Sequence, residues 1–226
     1  MKQLFGIAIF IFFCYGCKKS DNDIISTCRL TSVITPTTND TFHIIYNNEG
    51  KISAVTFKTI VSNFFYSGNT TTITKVINGL YSGRTVVTNN ANGLAINVKT
   101  EFNAAGTEWA NTTYEYNGEE LFRSTSTHSG GGTPSVTAYA WINHNLISIT
   151  SGATIIRLEY DLDKPGQEGD YLFLQGLLSG YDLYRSKNLL KSIDGAIFTY
   201  TRKADGKITS IEIGPTTVYK YEYECN

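Results

Sequence analysis

Short segments of alternating apolar and polar residues, cut every few positions by Asn-Gly or Asp-Gly, constrain this 226-residue chain more than any other feature. TFHIIY leads through Asn47, Asn48 and Gly50 into KISAVTFK, and Asn78-Gly79, Asn117-Gly118 and Asp205-Gly206 repeat the punctuation. Asn, Asp and Gly accept the positive φ of tight hairpin turns, and connections this short join only antiparallel neighbours. Between the turns lie TTTITKVI, RTVVT, LAINVKTEF, TTYEY, VTAYAWI, LISIT, TIIRLEY, AIFTYTR, ITSIEI and VYKYEYEC. That makes about a dozen strands or more.

Alternation also assigns the faces. Tyr219, Tyr221 and Tyr223 point one way in the last segment while Lys220, Glu222 and Glu224 point the other. Tyr114 with Tyr116, Tyr139 with Trp141, and Phe198 with Tyr200 form further same-face pairs. A sheet of so many twisted strands curls. The expected fold is all-β: an antiparallel up-and-down meander, strongly curled or closed into a barrel-like shell. One stretch departs from the pattern, because Leu174, Leu177, Leu178 and Tyr181 recur at helical spacing. It predicts a short helical or irregular insertion around 172–192, over one end of the sheet.

The N-terminus addresses location. Lys2 precedes an almost wholly apolar run from Leu4 to Gly16, and Lys18-Lys19 ends it. The run fits a signal-peptide core and is short of the ~20 residues of a membrane-spanning helix. Cys14 and Cys17 form a C-x-x-C, but within an apolar leader such a pair lacks the scaffold of a redox or metal site. Gly16-Cys17 followed by charges resembles a bacterial lipoprotein signal. The expectation is cleavage after residue 16 and lipidation at Cys17, with an ordinary cleaved signal as the alternative. The chain then divides into a signal peptide (1–16), a lipid-anchored tether (17–27) and a single β-meander domain (28–226). Two or more acyl chains hold a protein to a bilayer without a spanning helix.

Cys28 and Cys225 remain as an even pair at the two ends of the folded region. In an exported chain they read as a disulfide, with two buried free thiols as the alternative. A bridge requires the first and last strands to be neighbours. Composition agrees with the strand reading: 15 Tyr and 12 Phe stand against a single Met and 4 Pro. The formal net charge is -1, with no basic run beyond Lys18-Lys19, which argues against a nucleic-acid partner.

YNNEGKISAV and YTRKADGKITSI share an aromatic, a turn ending in Gly-Lys-Ile and an apolar residue beyond it. They resemble degenerate tyrosine-rich YD-type repeats of bacterial surface proteins. AYAWINHNLISITSG, EYDLDKPGQEGDY, SGYDLYRSKNLLKSI and FTYTRKADGKITSI are similar, in the same order, to segments of a Bacteroidetes lipoprotein family of unknown function. The resemblance spans roughly Cys28 to Cys225. It implies an antiparallel, porin-like meander in the cell envelope, and it supplies no catalytic residues.

The residues themselves offer little catalytic chemistry. His43, His128 and His144 are scattered without metal-ligand spacing. GLYSG and GLLSG are one residue out of register with a nucleophile elbow. Asp161, Asp163, Glu168 and Asp170 crowd one loop, but Pro165 and Leu172 stand where an EF-hand needs oxygen ligands. An irregular calcium loop and a solvated loop are the two readings left. No cofactor and no resident metal are expected.

Two function classes follow. The first is a non-catalytic binding or structural module at the outer membrane, periplasm-facing or on the cell surface, for a glycan, peptide or protein. Trp109 and Trp141 are candidate stacking residues, with core packing as their other reading. The second is an envelope hydrolase with paired carboxylates. A channel is disfavoured, since strand faces carrying Lys220, Glu222 and Glu224 do not make a lipid-facing band.

Overall fold

The computed structural model describes residues 28–36, 40–215 and 217–225. The expected signal peptide, Cys17 and the expected tether lie outside the described residues. Four hairpins open the chain: β1 (Cys28–Ile34) with β2 (Thr41–Tyr46), β3 (Ile52–Phe57) with β4 (Ile60–Ser67), β5 (Thr70–Ile77) with β6 (Leu80–Asn89), and β7 (Ala95–Glu101) with β8 (Trp109–Asn117). Then come β9 (Glu120–His128), β10 (Ser135–Ile142), β11 (Asn145–Ser151) and β12 (Thr154–Pro165). The helix α1 (Tyr171–Ser179) interrupts before β13 (Asn188–Ile193), β14 (Ala196–Arg202), β15 (Ile208–Ile213) and β16 (Thr217–Cys225). Each strand pairs antiparallel with its sequence neighbours, and β16 pairs with β1, so the sheet is a closed up-and-down barrel.

Turn chemistry sets the register. Asn47 accepts hydrogen bonds from the amides of Glu49 and Lys51. Asn78, Asn143, His144 and Asp194 all adopt positive φ in two-residue turns, which the right-handed twist of the flanking strands favours. At the seam Cys28 stands opposite Cys225, and the two are disulfide-bonded with Cα atoms 3.9 Å apart.

Inward positions are apolar and aromatic. Leu30, Val33, Leu121, Leu146, Ile208 and Ile211 are wholly buried, and Tyr221 joins them. The outer face is polar: Thr70, Thr72 and Thr74 on β5, Lys99 and Glu101 on β7, Lys220, Glu222 and Glu224 on β16. Exposed apolar side chains such as Ile45, Phe65 and Ile155 interrupt it.

The segment 166–187 crosses the interior. Gly180 packs so closely on Phe64 of β4 that a Cβ there would lie 2.4 Å from the ring. The amide of Ala95 on β7 donates to the Asp182 carbonyl, and Tyr116 of β8 donates to the Leu183 carbonyl. Tyr171 packs on Phe198 of β14, and Ser186 bonds Tyr160 of β12. Leu174 and Leu177 of α1 belong to the barrel core. The insertion is thus a plug touching walls on all sides.

Its bounds differ from the expected 172–192. Asn188–Ile193 is strand β13, whose dense leucines reflect burial of both Leu189 and Leu190 where register shifts break the β12–β13 ladder. Tyr181 lies past the helix, which stops at Gly180 in a left-handed conformation with φ 80°. The stretch read as a polar loop after Tyr160 continues as strand to Pro165.

Candidate ligand-binding site

Around one end of the barrel, inward aromatic side chains reach back to the preceding strand. Tyr46 donates to the Leu30 carbonyl, Tyr66 to Ile52, Tyr116 to Ala95 and Trp141 through Nε1 to Leu121. Tyr160 donates to Leu146, Tyr200 to Leu190 and Tyr223 to Ile208. Several of these residues follow a register shift: Tyr46 opposite Ile52, Tyr116 opposite Leu121, Trp141 opposite Leu146. The hairpin β5–β6 breaks the rule. There Asn89, opposite Ala95 after the same kind of shift, takes the aromatic's place.

A cavity of about 450 Å³ opens at that gap, within the ~300–1,000 Å³ typical of small-molecule sites. The barrel wall contributes Arg29, Tyr46, Ile52, Phe64, Tyr66, Thr71 and Asn89, and the plug contributes Glu168, Phe173, Leu177, Tyr181 and Asp182. Asn89 Oδ1 is enclosed with no hydrogen-bond donor among the described residues. Arg29 lies 5.5 Å from the centre of the Tyr46 ring, and its guanidinium packs against Gly50. Lys51 stands likewise over Tyr66.

The acidic stretch is divided among separate tasks. Asp161 pairs with Lys164, and Asp163 is exposed. Asp170, 6 % exposed, caps α1 by accepting from the amides of Phe173 and Gln167. Burial pushes its carboxyl above the ordinary range even against those hydrogen bonds. Glu168 enters the cavity wall, where burial raises its carboxyl while the Leu30 amide and Lys207 oppose the shift. Burial, with Glu168 nearby, lifts the Tyr46 phenol to about 12. Among the described residues no three His, Cys, Asp or Glu side chains gather into a metal site.

The two tryptophans share no surface. Trp141 faces inward and packs against the core, its indole N–H held by Leu121. Trp109 stands opposite Glu101 on the outer face, under the Lys99 ammonium, beside an Arg84–Glu101 pair. His43 is exposed on β2, His128 ends β9, and His144 bonds Glu120 in its turn. Sequence reading missed Arg29, Tyr46, Tyr66, Asn89 and Asp182 as one site. The available signal was the missing aromatic near the end of RTVVTNN, where sister strands end in Tyr or Trp.

A crystal structure of a porin-like protein from Bacteroides uniformis is similar to this chain, with a TM-score of 0.59 and 15% identity over 88% of this chain and 99% of that one. At that identity the likeness is one of fold. No family model matches the sequence, and no curated protein matches it significantly.

Proposed function

We propose that this protein is a lipid-anchored, non-catalytic binding module of the outer membrane that takes a small ligand at the barrel mouth. The cavity beside Asn89 carries the reading: it joins the polar side chains of Arg29, Asn89, Glu168 and Asp182 to an aromatic wall on a closed scaffold. The plug and the apolar interior speak against conduction, since a porin lumen is polar and wet. Charged outer positions such as Lys99, Glu115 and Lys220 speak for a barrel held beside the bilayer by an acylated Cys17.

The seat is tested by refilling it. Asn89→Tyr restores the aromatic of the sister hairpins and should abolish saturable ligand binding in calorimetry. Unchanged binding would remove the cavity from the reading. The anchor is tested by Cys17→Ser, which should release the protein from membranes or leave it unprocessed. A wild-type protein recovered as an unmodified soluble chain would refute the anchor.

A second reading rests on one observation. Glu168, its carboxyl raised by burial, and Asp182 line the same cavity, as an acid and a second carboxylate of a glycosidase would. Arg185 already pairs with Asp182. Turnover of a glycoside panel, lost in Glu168→Gln, would favour this hydrolase over the binding module.

A further inference from the structure

The mouth cavity contains two charged side chains of opposite sign, Arg29 and Glu168, that make no salt bridge among the described residues. Among the described residues, the one direct partner of the Arg29 guanidinium is the Tyr46 ring. The group is nevertheless held in place: the Tyr46 hydroxyl is fixed on the Leu30 carbonyl, and the Gly50 backbone closes the other side. A side chain at Gly50, where φ is +78°, would meet Nη2 at 2.8 Å. The five N–H donors of a guanidinium in a fixed fork suit a planar carboxylate. Glu168, on the plug side, accepts the Leu30 amide and feels the Lys207 charge, but forms no direct salt bridge among the described residues. Asp182, the other carboxylate of the lining, has its own cation in Arg185. Ile52, Phe64, Phe173 and Leu177 add apolar faces to the same cavity.

We infer that the cavity binds a small zwitterion, an α-amino acid or dipeptide with an apolar side chain. This rests on the mouth cavity being the ligand seat. The ligand carboxylate lies on Arg29, its ammonium on Glu168, and its side chain on the apolar wall. Asn89 Oδ1, enclosed in the same wall with no donor among the described residues, is a further acceptor for the ammonium once its amide turns toward the cavity. A ligand with a carboxylate alone would leave Glu168 repelled and unpaired, and a neutral sugar would leave both charges unmatched.

The test is calorimetric titration of the full chain, purified in mild detergent, with L-leucine and leucyl-leucine. Leucinamide, N-acetylleucine, glucuronate and glucose serve as counterparts lacking one charge or both. Leucine or its dipeptide should bind saturably, and each counterpart at least about tenfold more weakly, the scale of one charge-assisted hydrogen bond. Arg29→Gln should erase the preference for leucine over leucinamide, and Glu168→Gln the preference over N-acetylleucine, with both variants melting cooperatively. Glucose or glucuronate binding more tightly than leucine, blocked by Asn89→Tyr, would overturn the zwitterion and keep the seat. Binding of no probe at all would bring down both.

Discussion

At the residue scale, a buried polar atom without a partner needs a reason, because leaving one unmade costs about 1–3 kcal/mol. Seven aromatics donate to a carbonyl one strand back, which satisfies the N–H or O–H of a bulky ring as it packs inward or at the rim. Asn89 is too short to reach and leaves its own Oδ1 enclosed. Asn89→Tyr should therefore stabilise the fold while narrowing the cavity. Filling the space with apolar ring surface is worth about 1–2 kcal/mol, which in a chain of this size raises Tm by roughly 2–8 °C. A fall in Tm, read by circular dichroism, would show that the plug, not the missing ring, holds the cavity open.

At the scale of elements, the plug is the part least supported by its own propensity. Its helix is short, contains Gly176 and stops at Gly180, so packing and capping must hold it. Asp170 supplies the cap from a buried position, with a carboxyl pushed above its ordinary value of 3.8 by desolvation. For an acid whose folded pKa is raised, the stability contribution is complete below the unfolded value and is lost as pH rises through the folded one. Glu168 has the same sign. The thermal midpoint should thus decline as pH rises from about 4 toward neutrality. Asp170→Asn keeps an N-cap acceptor for the Phe173 amide and removes the buried charge, so it should flatten that decline. An equally steep profile in the variant would assign the pH dependence to other groups.

At the scale of the molecule, closure leaves the described strands no sheet edge, and the Cys28–Cys225 bridge fastens the seam across a sequence separation of 197. A loop this long gives a disulfide its largest loop-entropy effect, about 5 kcal/mol at most, with 2–4 typical. The double variant Cys28→Ser, Cys225→Ser should lose about that much, lowering Tm by roughly 5–15 °C. Its β-rich circular dichroism should persist, because the β1–β16 ladder runs from Cys28 to Ile34 without it. Loss of cooperative folding in the variant would make the covalent link a condition of closure.

Local chemistry made much of this legible in the chain. Alternation in segments such as VYKYEYEC assigned strand faces, Asn-Gly and Asp-Gly pairs located turns, and short connections forced antiparallel neighbours. The terminal cysteines pointed to β1 lying beside β16. The interior was decided only in three dimensions. Leu174 and Leu177 announced a helix, but its place inside the barrel depends on Phe64, Ala95, Tyr116 and Phe198, residues distant in sequence that surround it together. The acidic run looked like one loop and became a strand pair, a helix cap and a cavity wall, because the fold distributes over different elements carboxylates that sequence crowds. The cavity was the least legible of all. It arises where one side chain in a ring of eight hairpins is too small, and a missing volume shows only when its neighbours enclose it.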